Sequence, residues 1–104
     1  MKKKKKLYYR DDLLERLRNP ERAVVFLNAA LEDEDKNVFL LALRDLAEAH
    51  GMAKVAGLTC ISREHIYRLL SEKGNPEFVT LKNLLNAIGF RLAIETKTHR
   101  KKAA

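Results

Sequence analysis

The stretch from residue 52 to residue 73, MAKVAGLTCISREHIYRLLSEK, constrains the fold of this chain more than any other. Its apolar residues are spaced as in two short helices that cross at a tight corner: Val55, Ile61, Ile66, Leu69 and Leu70. Small Ala56 lies where two helix backbones must approach closely, and Ile61 fills the space beneath the corner. Ser62 can cap the second helix, because its hydroxyl can accept a hydrogen bond from an early backbone N–H. The pattern predicts a helix-turn-helix.

The net charge of +7 is distributed unevenly along the 104 residues. Nine basic side chains lie at the two ends, at Lys2–Lys6 and at positions 97, 100, 101 and 102. Residues 7–51 carry six basic and ten acidic side chains, whereas residues 52–91 carry six basic and three acidic ones. The half that contains the helix-turn-helix therefore suits a phosphate backbone, and the other half either avoids phosphate or suits a basic partner. The lysine run itself is interpreted as a solvated tail.

Length and composition predict one soluble, helical domain. The chain is 46% hydrophobic and 34% charged, which is typical of a folded rather than a disordered protein. It has no apolar run of about 18 residues, so no membrane span is expected. Only Leu7–Tyr9 separates the lysines from the next charges, which is too short for a signal peptide. The single cysteine, Cys60, cannot form an internal disulfide, and we expect a cytoplasmic protein.

Capping residues mark the helices outside the central stretch. The expected N-caps, whose side chains can accept from an early backbone N–H, are Asp12 (with Glu15 as a capping box), Asn19 (before Pro20), Asp35 and Thr80. The expected helix ends are Arg18, the acidic run Glu32–Asp35, Gly51 and Gly89. Together with the helix-turn-helix, these signals predict an all-α protein of five or six helices.

From Phe90 the apolar period changes from that of a helix to that of a strand, since Leu92 and Ile94 alternate with Arg91 and Glu95. A single strand cannot satisfy its backbone groups alone. It would pair with Leu7–Tyr9, with its own copy in a second subunit, or with the sheet edge of another protein, and a subunit or partner contact is favoured.

These signals divide the chain into five segments. They are a basic N-terminal tail (1–10), N-terminal helices that are the candidate half for contacting a protein partner (11–51), the helix-turn-helix with a closing helix (52–89), a C-terminal strand (90–96) and a basic C-terminal tail (97–104).

Three blocks of sequence carry a resemblance to a known family. They read FLLALRDLA at 39–47, ISREHIYRLLS at 61–71 and GNPEFVTL at 74–81, and they follow an Asn19-Pro20-Glu21 helix start. In this order, over about residues 10–95, the chain resembles the HigA-like addiction-module antidote proteins, antitoxins with a lambda-repressor-like domain. The resemblance implies a DNA-binding antitoxin that represses its own operon and neutralises a RelE/ParE-like toxin encoded beside it, with residues 11–51 as the candidate toxin-contacting half. We expect it to act as a homodimer on a two-fold-related operator.

Two positions depart from that pattern. Cys60 occupies the corner position that is commonly glycine, and Thr59 stands where an apolar residue is usual. Cysteine lacks glycine's free access to positive φ. Either the turn does not need a positive φ or the chain accepts some strain.

The second helix of the motif supplies the candidate DNA contacts. They are Ser62, Arg63, Glu64, His65, Tyr67 and Arg68, flanked in sequence by Lys54, Lys73, Asn75 and Lys82. Arg63 and Arg68 are the strongest candidates, because a guanidinium makes paired hydrogen bonds to guanine or to phosphate. Glu64 could accept from a cytosine amine, and Tyr67 could contact a phosphate or a thymine methyl group. The alternative is a solvated helix face with Glu64 paired to Arg68.

The acidic run Glu32, Asp33, Glu34 and Asp35 is the candidate toxin contact, since ribonuclease-like toxins need positive charge to hold RNA. Its alternative is a solvated loop.

Enzymatic sites are not expected. The three histidines, at positions 50, 65 and 99, lie in different segments without a second ligand at metal spacing, so no metal, cofactor or catalytic residue is predicted. Two other functions stay open, a stand-alone repressor without a toxin and a protein-interaction domain that has lost DNA binding.

Overall fold

A computed structural model describes the backbone of residues 2–97 and the side chains of residues 9–97. The described chain contains six α-helices: α1 Lys2–Leu17, α2 Pro20–Leu31, α3 Lys36–His50, α4 Met52–Thr59, α5 Arg63–Leu69 and α6 Phe78–Ala87. The predicted all-α architecture with five or six helices is confirmed for these residues. The C-terminal tail beyond residue 97 and His99 lie outside the described residues.

The first helix is longer than the sequence predicted. It begins at Lys2, whereas the expected capping box placed its start at Asp12. No glycine or proline precedes Pro20, and lysine is a good helix former, so nothing stops the helix from extending towards the N-terminus. Residues 2–10 therefore form the first turns of α1, and Leu7–Tyr9 is not available as a strand partner.

Two predicted N-caps are confirmed. The side chain of Asn19 accepts from the backbone N–H of Glu21 at 2.9 Å and of Arg22 at 3.4 Å, with Pro20 as the first residue of α2. Asp35 likewise accepts from the N–H of Asn37 at 2.9 Å and starts α3. Each cap satisfies an N–H that has no partner within its helix.

The glycine helix ends are confirmed, whereas one predicted cap is wrong. Gly51 follows α3 with φ 117° and ψ 102°, a positive φ but not the left-handed helical geometry expected. Gly89 follows α6 with φ 92°. Thr80 does not cap α6: the helix begins at Phe78, after an extended Glu77 whose carbonyl accepts from the N–H of Leu81 at 2.9 Å. That bond closes the first turn earlier, so Thr80 lies inside the helix.

The core is built around α3, which packs against α1, α2 and α4, while α4 packs against α5 and α6. Its largest fully buried side chains come from four helices and the residue after α5: Leu43, Val55, Ile66, Leu70 and Leu84. Because α5 supplies Ile66 to this core, the opposite side of α5 must face solvent.

The strand predicted over residues 90–96 is not seen. Within the described residues no strand is present, and residues 91–96 form neither helix nor strand. The physical reason is that a strand needs a neighbouring strand to satisfy its backbone groups, and Leu7–Tyr9, the partner considered within this chain, is helical.

Candidate nucleic-acid interface

The corner between α4 and α5 is closed by a threonine hydroxyl. The Thr59 hydroxyl donates to the carbonyl of Val55 at 2.8 Å and accepts from the backbone N–H of Ile61 at 3.3 Å. A side chain thereby satisfies one carbonyl at the end of α4 and one N–H of the turn. An apolar residue at position 59 could not make these bonds, which explains the polar residue at this position.

Cys60 adopts a positive φ, so of the two possibilities at the corner the chain has the strained one. It has φ 61° and ψ 28°, in the left-handed helical region, and it is the non-glycine residue with positive φ in the described chain. Such a conformation brings Cβ close to the backbone and costs about 1–2 kcal/mol for most residues. The Cys60 side chain is exposed, so no burial offsets this cost.

Ser62 caps α5 as predicted. Its hydroxyl oxygen accepts from the N–H of His65 at 3.1 Å, and its carbonyl accepts from the N–H of Ile66 at 2.9 Å. Capping uses the hydroxyl oxygen only as an acceptor, so the hydroxyl proton remains available to donate to a phosphate oxygen.

The buried and exposed sides of α5 are clearly separated. Ile66 and Leu70 are fully buried and Leu69 is half-buried, which agrees with the predicted inward face. The exposed side chains of α5 are Arg63, Glu64, His65 and Arg68. With the exposed cap Ser62, five of the six predicted contact residues of this helix and its cap are therefore exposed to solvent, and Tyr67 is the exception.

The pairing of Glu64 with Arg68, which belonged to the alternative of a solvated helix face, is not formed in the described structure, where neither residue has an ion pair. Arg68 instead places Nη2 3.3 Å from Nδ1 of His65. A guanidinium has only donors, so the ring nitrogen accepts. The Ser71 hydroxyl donates to the carbonyl of Arg68 at 2.7 Å and satisfies the end of the helix. The carboxylate of Glu64 and the side chain of Arg63 are left to solvent.

Tyr67 points towards the protein rather than away from it. It is half-buried, and its hydroxyl donates to Oε2 of Glu48 on α3 at 2.9 Å. Burial raises the pKa of Tyr67, and the hydrogen bond and negative charge of Glu48 raise it further, against the opposing charges of Arg63 and Arg44. The geometry makes Tyr67 a tether between α5 and α3.

The other oxygen of Glu48 connects this tether to α1. Arg10 donates from Nη2 to Oε1 of Glu48 and lies 3.0 Å from Asp45. Burial alone would lower the pKa of Arg10, but the hydrogen bonds and charges of Asp45 and Glu48 raise it overall. One carboxylate therefore joins α1, α3 and α5. Glu48 was not among the predicted site residues, because its partners lie 19 and 38 positions away in the sequence and no local pattern indicates them.

The flanking candidates are dispersed. Lys54 is exposed on α4, and Lys73 and Asn75 are exposed in the segment that follows α5. Within the described residues, no hydrogen bond or ion pair joins any of them to α5. Lys82 lies on α6 with Nζ 5.5 Å from the ring centroid of Phe78.

Gly74 fixes the end of α5 by close approach. A Cβ at this position would lie 1.9 Å from the carbonyl oxygen of Leu69 and 2.8 Å from that of Arg68, so the backbone can pass here only without a side chain. Lys36 holds the same turn from α3, donating from Nζ to the carbonyl of Gly74 at 2.7 Å. Nothing in the sequence around Gly74 indicates this contact.

The acidic run lies in the loop between α2 and α3, and all four side chains are exposed. Two of them have local structural roles. Asp33 accepts from the N–H of Asp35 at 2.9 Å, and Asp35 caps α3. The four acids therefore remain on the surface, in a loop that is partly ordered by its own side chains.

Other kinds of site find no support in the described part of the chain. No three or more His, Cys, Asp or Glu residues there are arranged to hold a metal ion. None of its helices is long and apolar enough to cross a membrane.

The fold and the site define a small helical protein in which the short, basic helix α5 is held by the buried Ile66 and exposes its opposite side to solvent. Its family follows from sequence comparison: residues 8–96 match the model of a family described as probable addiction module antidote proteins, and the chain belongs to this family. An uncharacterised protein of Haemophilus influenzae is 33% identical over 84 residues, which cover 81% of this chain and 87% of the relative. No solved structure matches the chain. Membership implies a toxin partner in general terms and suggests a regulatory protein rather than an enzyme.

Proposed function

We propose that this chain is the DNA-binding antitoxin of a type II toxin–antitoxin module, which represses its own operon and neutralises a RelE/ParE-like toxin in the cytoplasm. Membership of the antidote family supports the toxin partner. The observation that carries DNA binding is the arrangement of α5, whose inward residue Ile66 is fully buried while Arg63, Glu64 and Arg68 are exposed to solvent.

In this proposal α4 and α5 form a helix-turn-helix of the lambda-repressor type, and α5 enters the major groove. Arg63 at the first turn and Arg68 at the last supply guanidinium groups for guanine edges or phosphates. Glu64 accepts from a cytosine amine, and the Ser62 hydroxyl donates to a phosphate at the helix start. Tyr67 contributes by holding α5 on α3 through Glu48.

The flanking lysines add affinity without sequence preference. Lys54, Lys73 and the lysines at positions 2–6 would neutralise phosphates and release counterions, so this part of the affinity falls as salt increases. A homodimer would place two copies of α5 on half-sites about 34 Å apart or a multiple of that spacing.

The N-terminal half is the proposed toxin surface. Toxins that bind RNA need basic surfaces, and the loop Glu32–Asp35 offers four exposed acids on the half of the chain with a net negative charge. Asp33 and Asp35 also hold the loop together. Glu34, which has no hydrogen-bond or ion-pair partner in the described chain, is therefore the residue most available to a partner.

The test measures binding of the full chain to the DNA upstream of its own gene, by fluorescence anisotropy with unrelated DNA as competitor. Arg63→Ala with Arg68→Ala should reduce specific affinity at least about 30-fold, since each paired arginine–base contact contributes about 1–3 kcal/mol. The control is Arg16→Ala with Arg22→Ala, which removes the same two charges from exposed positions on α1 and α2.

Each outcome selects one function. Equal losses in both double variants would show that only net charge matters, which contradicts sequence reading by α5. If the parent protein binds no DNA specifically, the chain is a protein-interaction domain and the proposed repressor function is wrong. If DNA is bound but the product of a neighbouring small, basic reading frame does not co-purify, the chain is a stand-alone repressor.

A further inference from the structure

The segment after α6 is exposed and has free backbone groups. Phe90 anchors its start by donating its N–H to the carbonyl of Leu85 at 2.9 Å and by packing against the core. The next five residues, 91–95, make no backbone hydrogen bond in the described chain. All five are exposed, and Ile94 has its whole side chain in solvent. Free N–H and C=O groups beside exposed apolar side chains form a template for pairing with another strand.

The sequence of this segment is complementary to itself in one antiparallel register. If two copies pair about a two-fold axis at Ala93, Arg91 of each copy lies opposite Glu95 of the other, and Leu92 lies opposite Ile94. Two opposite-charge pairs fall on one face and two apolar pairs on the other, because side chains alternate along a strand. Ala93, the smallest of the five, meets its own copy at the axis.

Neighbouring registers lose this complementarity. An axis at Ile94 would oppose Arg91 to Lys97, a like-charge pair that is unfavourable. An axis at Leu92 would oppose Arg91 to Ala93 and leave Glu95 without an arginine. An axis between Leu92 and Ala93 would oppose Arg91 to Ile94. The charges therefore select the register centred on Ala93.

An apolar groove beside the segment gives the pair a surface to cover. The groove has a volume of ≈ 380 Å³ and lies among α2, α3, α6 and the segment itself. Leu92 and Ile94 line it together with Val24 and Leu31 of α2, which are 41% and 54% exposed in the single chain. A two-stranded ribbon alone is marginally stable in water, so burial of this groove by the second copy is what would make the pairing persist.

We propose that residues 91–95 form an antiparallel two-stranded ribbon with the same residues of a second copy, centred on Ala93, and that this ribbon is the dimer interface. It rests on the proposed function in one respect, since a two-fold DNA-binding protein requires a dimer. The interface is isologous, with each residue of one copy facing its complement in the other. Residues 91–95 thus become a strand only when the partner is present.

The test is a charge exchange followed by sedimentation equilibrium of the full chain without DNA or toxin. Arg91→Glu opposes two acids at each end of the ribbon, and Glu95→Arg opposes two arginines. Each single variant should weaken dimerisation at least about fivefold, because every substitution acts on two symmetry-related pairs. The double variant Arg91→Glu with Glu95→Arg restores opposite charges and should recover the parent's dimerisation.

Two controls separate pairing from folding and from net charge. Thermal unfolding of each variant at low concentration should match that of the parent, since the substituted side chains are exposed. Arg22→Glu makes the same charge change on α2 outside the groove and should leave dimerisation unchanged.

Several results would overturn the ribbon. They are a parent protein that stays monomeric at every concentration, single variants that dimerise like the parent, and a double variant no better than the singles. Single variants that lose toxin binding while dimerisation is unchanged would show that the segment pairs with the toxin instead. A parent that dimerises through the ribbon but binds no DNA would refute the proposed repressor function and leave the ribbon intact.

Discussion

Replacing Cys60 by glycine should stabilise this protein. Cys60 has φ 61° and ψ 28°, where a side chain costs about 1–2 kcal/mol and glycine costs little. Against this gain, glycine increases the conformational entropy of the unfolded chain, which costs about 0.4–1 kcal/mol. The exposed Cys60 side chain contributes no buried area to lose. The expected net change is a stabilisation of about 0.5–1 kcal/mol.

The assay is urea unfolding followed by far-UV circular dichroism, together with a thermal melt. For a chain of this size, a gain of about 0.5–1 kcal/mol corresponds to a rise in Tm of roughly 2–8 °C. The slope of the unfolding free energy with urea should be unchanged, since the substitution does not alter the surface that unfolding exposes. DNA affinity should also be unchanged, because glycine can keep the same turn and therefore the same placement of α5.

Two further substitutions test the cause of the effect. Cys60→Ala keeps the strained φ and removes only the exposed thiol, so its stability should stay within about 0.5 kcal/mol of the parent. Cys60→Asn should fall between alanine and glycine, since asparagine tolerates the left-handed region better than most residues. If the glycine variant is no more stable than the alanine variant, the corner carries no strain and the reasoning is wrong.

Three other predictions follow from the site. Gly74→Ala should destabilise the fold by about 1–3 kcal/mol in the same urea assay, because its Cβ would meet the carbonyl of Leu69. Gly57→Ala is the control: it has open space around it inside α4 and should stabilise the fold by up to about 1 kcal/mol. If both variants are destabilised, the close contact at Gly74 is not the cause. Folding raises the pKa of Tyr67, so its contribution to the free energy of unfolding is complete below its unfolded pKa of about 10 and is lost as pH rises through the folded value. Tyr67→Phe should therefore be less stable than the parent at neutral pH and approach the parent's stability in alkali. A stability difference that stays constant across pH would refute this. Glu34→Lys should weaken toxin binding measured by calorimetry, most strongly at low salt. The control Glu77→Lys makes the same charge change in the other half of the chain and should leave toxin binding unchanged. Equal effects of the two variants would exclude a specific contact between Glu34 and the toxin.

Local signals in the sequence predicted the local structure well. Asn19, Asp35 and Ser62 were identified as caps because a cap needs only a short polar side chain and the N–H groups two or three residues later. The inward side of α5 followed from the spacing of its apolar residues. These features depend on neighbours within one or two helical turns, which a single sequence contains.

The predictions failed where distant contacts or missing stop signals decide the structure. Asp12 and Glu15 fit a capping box, but a residue that can cap a helix does not have to start one, and α1 begins at Lys2. Thr80 was a plausible cap, but the turn after Pro76 closes earlier and the helix begins at Phe78. Glu48 accepts a hydrogen bond from Tyr67, 19 positions later in the sequence, and Gly74 packs against the carbonyl of Leu69 across a turn. Neither contact has a pattern in the sequence that would predict it.

The candidate recognition helix is too short to hold its own position, and the surrounding structure supplies what it lacks. A helix of seven residues is not stable in isolation, because the cost of its first turn is not recovered over so few hydrogen bonds. Its start is fixed by the Thr59 and Ser62 hydroxyls and its inward side by Ile66. Its middle is tied to α3 through Tyr67, and its end is pressed against Gly74. The side chains of Arg63 and Arg68 take no part in these supports, and Arg68 bonds only to the exposed ring of His65 on the same helix. We therefore expect substitutions of the two arginines to change binding without changing the fold.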